Sequence, residues 1–469
     1  MKNNSSLYIK MIKNVFSYTI IITLLSGCAT YKGYKLPWEN EISEVELQNG
    51  IEVLPDLWWH AFQDENLNAH IETALNQNFT LTAAWERFNA AQALASKASS
   101  GLYPSLNIDG GTSHKIDSGQ RTNQFTFGGS ASYEVDLWGR IRAESAAEDL
   151  RALANEKSYR TAALSLSANI ATVWSQIVEA HNQNKLLEKQ IQTNDKTLEI
   201  LTARFETGQN RREDVLRQEL LNKAVIAEKI NIETDIKTLN HQLAVLRGEM
   251  PQNAAYTVSE VLPTLANIES IGISSSLIKR RPDVEQAYLE IQVADKDLAA
   301  AIHNQYPQIT LSASYISEAA TAGALFSNWI TTLVSGITAP LFDGGQRRAE
   351  ISNREALRSE LVATYAQTVL LAFQEVEDAL IQEKKQQERI QNLEERLALA
   401  EESYDQVLLG FLNGANEFLS VLSAQIEWQS LERDLILARR NLMEFRISLC
   451  RALASGFETP RENIMKEDQ

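Results

Sequence analysis

The sequence predicts a mainly α fold with a transmembrane β part: four strands and two long helical hairpins per chain, related by an internal two-fold repeat. Three observations predict it. The chain resembles itself at a near-constant offset, four segments alternate cleanly between apolar and polar residues, and two stretches of more than sixty residues contain no proline. Length alone, 469 residues at ~150 per domain, would suggest about three domains. The repeat replaces that estimate. Leu102-Tyr103-Pro104-Ser105-Leu106 returns as Gln305-Tyr306-Pro307-Gln308-Ile309, and Ala84, Ala91 and Ala98 return as Ala287, Ala294 and Ala301. Phe205-Glu206-Thr207-Gly208 returns as Phe411-Leu412-Asn413-Gly414, each with Val-Leu seven residues beyond its glycine (Val215-Leu216, Val421-Leu422). Ala143-Glu144 and Ala349-Glu350 keep the same spacing. Such periodicity marks duplicated structural units.

Residues 1–27 read as a secretory signal. Lys2, Lys10 and Lys13 open it, no acid precedes Glu39, and the apolar run from Val15 to Leu25 is too short to span a bilayer. It ends in Leu25-Ser26-Gly27-Cys28, which resembles a bacterial lipobox: small residues before the cut, and a thiol that takes a diacylglycerol. Two or more acyl chains there would make the anchor stable where a single chain is marginal. Cys28 is thus the expected lipid attachment site. Ala29 follows it, not the aspartate that resembles an inner-membrane retention signal, so the expected location is the outer membrane. Residues 28–63 form the expected lipidated N-terminal strap, with Trp58 and Trp59 packing on the helices.

The first repeat is expected over 64–263 and the second over 264–457, with a tail at 458–469. Each runs helix, strand, strand, long helix, glycine break, returning helix. A first helix spans about 64–99, with Leu67, Leu75, Leu81, Ala84 and Phe88 at helical spacing; its counterpart spans about 276–304, opened by Arg281-Pro282-Asp283. The long helices, about 142–205 and 348–410, are rods of ~95 Å at ~1.5 Å per residue, far more than a compact core needs. Gly208 and Gly414 mark their turns, placing hairpin tips at about 203–217 and 409–424, and the returning helices run toward Gly248 and Gly456.

Strands are expected at about 103–114, 121–137, 307–316 and 329–341. Phe125, Phe127, Ala131, Tyr133 and Val135 alternate with Thr126, Ser130, Ser132 and Glu134. Alternation alone fits equally a one-sided antiparallel sheet resting on helices. No second apolar run approaches 18 residues, so a membrane crossing would need strands. Four strands cannot close a barrel, and an open edge in lipid leaves backbone groups unpaired. Two chains would give a lumen packed with side chains; three give twelve strands and room for a pore. A homotrimer is therefore expected, with the long helices bundled into a continuing helical barrel. Tyr133, Trp138, Tyr315 and Trp329 are candidates for the aromatic girdles.

Composition excludes several classes. The net charge of −17, which becomes −20 once the leader and its three lysines leave, argues against nucleic acid. Two cysteines, Cys28 and Cys450, rule out a disulfide scaffold or a multi-cysteine metal site, and the six histidines lack metal-ligand spacing. Cys450, among Phe445, Leu449 and Leu453, reads as a buried free thiol. No HExxH, phosphate loop, GxSxG or GxGxxG occurs, so no enzyme, metal or cofactor is expected beyond the lipid on Cys28.

Five segments then resemble the TolC-like outer-membrane efflux channels, in the lipoprotein branch called NodT-type. They are Trp58-Trp59-His60-Ala61-Phe62 with Asp64 and Leu67; Tyr133-Glu134-Val135-Asp136-Leu137-Trp138-Gly139-Arg140; Arg280-Arg281-Pro282-Asp283-Val284; Pro340-Leu341-Phe342-Asp343-Gly344-Gly345-Gln346-Arg347; and Phe373-Gln374-Glu375-Val376-Glu377-Asp378-Ala379-Leu380. The resemblance covers nearly the whole mature chain. It implies a trimeric exit duct of a tripartite efflux pump, conducting drugs or other small toxic compounds passively. It further implies a periplasmic adaptor docking at the hairpin tips and an inner-membrane transporter, commonly of the resistance–nodulation–division class. It also implies a periplasmic gate. Asp214 matches the family's first-tip aspartate, but Phe411 and Asn416 stand where the family has tyrosine and arginine, and Ser420 and Ser423 stand at its aperture aspartates. Glu417, Glu213 and Asp214, paired with Arg211 and Arg212, are the expected substitutes, and Glu417 and Asp214 the expected controls of opening. A ring of carboxylates there would favour cations. Two other readings are an exit duct for type I protein secretion, which the lipobox disfavours, and a non-pore structural lipoprotein, which the strand alternation disfavours.

Overall fold

A computed structural model describes residues 57–258, 278, 280–454 and 457–462. Cys28, the leader, most of the strap and Gly456 lie outside the described residues. The elements in chain order are α1 (Glu65–Gln77), α2 (Phe79–Ser99), β1 (Ser105–Asp117), β2 (Gln120–Val135), α3 (Arg140–Glu206), α4 (Arg212–Arg247), α5 (Pro282–His303), β3 (Gln308–Ala319), β4 (Trp329–Thr338), α6 (Gln346–Leu412) and α7 (Phe418–Leu453). The duplication is visible in lengths: α3 and α6 have 67 residues each, and α4 and α7 have 36 each. At ~1.5 Å per residue the rods are ~100 Å long.

One expectation is corrected. The helix read over 64–99 is two helices, broken at Asn78. Its backbone is extended, its side-chain oxygen accepts from Leu81 N–H at 2.9 Å, and its Nδ2 donates to Leu246 O at 2.8 Å. A cap held by a distant carbonyl breaks the helix without glycine or proline. The second-repeat helix begins at Pro282, with proline in its first turn.

Both hairpin turns share one geometry. Gly208 (φ +74°) donates its N–H to Phe205 O and Gln209 to Arg204 O; Gly414 (φ +75°) donates to Phe411 O and Ala415 to Gly410 O. These paired bonds satisfy the last carbonyls of each rod, and the left-handed backbone there calls for glycine.

The four strands form one antiparallel sheet in the order β1-β2-β3-β4. At its base an aspartate starts each rod. Asp136 accepts from Ile141 N–H at 3.1 Å and Arg142 N–H at 3.0 Å, and Asp343 accepts from Gly345 N–H at 3.0 Å and Arg347 N–H at 3.3 Å. Trp138 clamps the joint by stacking on Tyr306, with centroids 5.0 Å apart, and donating to Pro307 O at 2.7 Å.

The main core sits at the waist of the rods. Trp58, Trp59, Phe62, Leu67 and Ile71 pack there against Tyr159, Ile170, Trp174 and Ile177 of α3, Leu243 of α4, and Met443, Ile447 and Cys450 of α7. Trp58 and Trp59 are fully buried, as the strap reading expects. Trp58 donates to Ser167 Oγ at 3.2 Å, and Trp174 donates to Asp64 Oδ2 at 2.8 Å while Asp64 also caps α1. Residues 457–462 join this belt: Phe457 packs on Trp59, Tyr159 OH lies 2.7 Å from Thr459 Oγ1, and Glu462 pairs with Arg160 at 2.9 Å. Cys450 is buried, and burial pushes its thiol up to about 12.

Candidate functional site: a two-faced sheet and two hairpin tips

Strand register converts alternation into faces, because residues directly opposite in antiparallel strands project to the same side. One row across the sheet reads Leu106, Ala131, Ala313, Leu333; the next reads Asn107, Ser130, Ser314, Thr332. The apolar face continues through Ile108, Phe127, Tyr133, Leu311 and Ile337, and Ile108, Leu333 and Ile337 are more than 70% exposed. Such exposure of large apolar groups along one sheet face requires a nonaqueous partner. The apolar positions of β2 run from Phe125 to Val135, which at ~3.3 Å per residue and a tilt of ~40° spans roughly 25 Å. That matches the apolar band of a membrane barrel. The opposite face carries Asp109, Thr126, Ser130, Glu134 and Glu318, with Ser130 donating to Asp109 Oδ2 at 3.0 Å and Gln124 to Glu318 Oε2 at 3.0 Å. No described helix is long and apolar enough to cross a membrane.

Of the four girdle candidates, Tyr315 and Trp329 stack at 4.5 Å beside Phe326 and Phe127 at the end of the sheet away from the rods, and Trp138 lies at the rod end. Tyr133 stands opposite Leu311 near the rod end.

At the far end of the rods, Arg204, Arg211, Glu213, Asp214, Phe411, Asn416 and Glu417 line one groove of about 400 Å³ between the two tips. The structure thus brings most of the expected gate residues together, yet joins them differently. Asp214 turns onto its own helix start, accepting from Arg211 N–H at 3.4 Å, and Arg211 pairs with Glu213 at 3.3 Å. Arg212 lies over the Phe205 ring, 5.8 Å from its centroid. Glu417 precedes α7 at its N-cap position without a side-chain cap bond. The link between tips comes from Arg204, which sequence reasoning missed. Its guanidinium stacks 4.9 Å over Phe411 and donates to Leu412 O at 3.4 Å and Asn210 Oδ1 at 3.3 Å. Phe411, at the expected tyrosine position, is buried with Phe418, Val421, Leu201 and Val215. Asn416 donates to Val407 O at 3.2 Å within its own tip. Ser420 and Ser423 are exposed, and Ser423 bonds back to Leu419 O.

Comparison with known proteins agrees with this geometry. Residues 70–249 and 273–455 match the family described as outer membrane efflux protein. The chain is 28% identical over 427 residues to the pyoverdine export outer membrane protein OpmQ of Pseudomonas aeruginosa, covering 88% of this chain and 90% of that one. It is 26% identical over 464 residues to nodulation protein T of Rhizobium leguminosarum bv. viciae, covering 94% and 93%. The outer membrane protein VceC of Vibrio cholerae superposes with a TM-score of 0.82 at 26% identity, covering 87% of this chain and 100% of that one. With two matched segments, a two-faced sheet and rods long enough to leave the membrane far behind, the chain belongs to the outer membrane efflux protein family and is a TolC-like outer-membrane efflux channel.

Proposed function

We propose that three copies of the chain close a twelve-stranded barrel and form the exit duct of a tripartite pump, conducting small molecules passively and catalysing nothing. The observation that carries this is the open sheet. Its outer strands β1 and β4 each have one neighbour among the described residues, while one face is apolar over a membrane's thickness. An unpaired edge in lipid is too costly to persist, so each β4 meets the β1 of another copy. The tip groove, with its mixed charges, is the proposed docking place of a periplasmic adaptor that links the duct to an inner-membrane transporter, expected to be of the resistance–nodulation–division type. The tip carboxylates Glu213, Asp214 and Glu417, repeated three-fold, would favour cations at the periplasmic mouth. Cys28, carrying diacylglycerol and an acyl chain, holds the strap to the outer membrane.

Purification in detergent tests the assembly. Heat-resistant trimers that conduct ions in planar bilayers are expected, whereas a monomer without conductance would overturn the reading. Labelling with radioactive palmitate should mark the parent and not Cys28→Ser; equal labelling of both would remove the anchor from the account.

A further inference from the structure

Along α3, Gln176, Gln183, Gln190, Thr197 and Arg204 recur at seven-residue spacing, which keeps them on one stripe of the helix. The stripe faces hairpin two. Gln176 donates to Glu444 Oε1 at 2.8 Å and Gln183 to Arg433 O at 2.9 Å. Gln190 donates to Gln429 O at 3.0 Å and Glu432 Oε2 at 2.8 Å, and accepts from Arg433 at 2.7 Å. Thr197 donates to Thr193 O of its own helix at 3.0 Å, and Arg204 reaches Leu412. Beside the stripe, fully buried Asn194 is a node where three helices meet: its Oδ1 accepts from Gln425 and Gln429 of α7, both at 2.8 Å, and its backbone carbonyl accepts from Gln218 of α4 at 3.2 Å. From Gln176 to Arg204 this seam runs ~42 Å at ~1.5 Å per residue.

Its chemistry differs from that inside hairpin two. There α6 and α7 close mainly on Leu393, Leu431, Leu435 and Ala438, with the buried pair Arg446–Glu383 at 2.6 Å and, among the described residues, a single buried amide contact, Gln386 donating to Ala438 O at 2.7 Å. Parting such a face exposes apolar area in proportion to its size. The α3–α7 seam is apolar at its two ends, where Ile177 and Met443 share one cluster and Leu201 and Val421 another; between them, parting it exposes chiefly amides, which trade one hydrogen bond for another with water at little net cost. The amides are also only half used. Among the described residues, Asn194 Nδ2 and the Oε1 atoms of Gln183, Gln218, Gln425 and Gln429 are buried without a partner. The packed register therefore leaves polar capacity unspent, and a shifted register loses little. Gln425 and Gln429 sit one helical turn apart and share one acceptor, so a slide of α7 by up to a turn keeps one of them within reach of Asn194.

We infer that this amide seam, centred on Asn194, Gln425 and Gln429, is the latch between the hairpins and sets the resting aperture of the duct, ahead of the tip carboxylates. The inference rests on the exit-duct reading. Its test compares single-channel conductance of the trimer in planar bilayers for the parent, N194A/Q425A/Q429A, N194L/Q425L/Q429L and D214A/E417A. The alanine triple loosens the seam and should raise conductance severalfold. The leucine triple makes the seam apolar and should lower conductance below the parent's, with heat-resistant trimers retained. Opposite signs mark a latch; a role in folding alone would move both triples the same way. Parental conductance in both triples, or shifts of one sign, would overturn the latch. So would a D214A/E417A increase larger than the alanine triple's. Should the alanine triple not assemble, Gln429→Ala alone is read by the same criterion. A parent trimer that conducts nothing overturns the exit-duct reading, and the latch falls with it.

Discussion

His70 shows how one buried side chain ties the waist to pH. It is 6% exposed, lies between Trp174 (4.7 Å) and Tyr256 (5.0 Å), and sets Nδ1 against the Arg247 guanidinium. Burial and then the Arg247 charge push its pKa down to about 4, with Asp64 and Glu249 offsetting part of this. Glu249 is itself paired with Arg247 at 2.7 Å and accepts from Tyr256 OH at 2.9 Å. Because the folded state disfavours the protonated ring, the unfolded chain binds the proton first. The stability that neutral His70 supplies is complete above its unfolded value of about 6.5 and is lost as pH falls toward about 4. At ~1.4 kcal/mol per pKa unit, the loss between pH 7.5 and pH 5 is roughly 2 kcal/mol. Thermal unfolding of the purified channel should show a lower midpoint at pH 5 than at pH 7.5, with a flatter dependence in His70→Gln. Equal slopes would exclude His70 as the source. At this scale the sequence was partly legible. Trp58, Trp59 and Cys450 declare burial by residue type, whereas His70 is one scattered histidine until folding brings Arg247 and Tyr256 to it from beyond residue 240.

Elements were more legible than residues, because periodicity reports an element without its partners. The strands and rods follow from a period of 2, the absence of proline and a glycine at each turn, and the observed bounds differ from expectation by only a few residues. Two features escaped. The break at Asn78 depends on Leu246 O, 168 residues away, which no local pattern announces. The glutamine stripe was present as spacing, but spacing alone does not say whether a stripe meets water or another helix. Gly128 offers an element-scale test. A Cβ there would lie 2.3 Å from Tyr315 O and 2.6 Å from Ile316 Cα, whereas one at Gly129 would meet Asn107 O at an ordinary 3.5 Å. Gly128 thus permits the close approach of β2 and β3. Gly128→Ala should deplete heat-resistant trimers in outer-membrane fractions, while Gly129→Ala should leave them near parental amounts. Depletion by both, or by neither, would show that the spacing of β2 and β3 is set elsewhere.

For the whole molecule, the decisive quantity is which sheet face meets lipid, since every copy in a closed barrel repeats the assignment. Leu106, Ala131, Ala313 and Leu333 share a row on the apolar face, and Asn107, Ser130, Ser314 and Thr332 share the neighbouring row on the other. Leu333 and Thr332 are adjacent in one strand, so a substitution at either meets the same backbone and differs only in facing. Near the middle of the membrane a lipid-facing arginine costs roughly 2–4 kcal/mol, and a trimer carries three of them. Leu333→Arg should therefore abolish heat-resistant trimers in the outer membrane. Thr332→Arg faces the lumen, where water solvates the guanidinium; it should assemble normally and reduce cation preference, because it adds three positive charges to the pore. The reversal potential in a salt gradient across a planar bilayer reads that change. If Leu333→Arg assembles as well as Thr332→Arg, the apolar face does not meet lipid, and the alternation instead describes a sheet packed against protein.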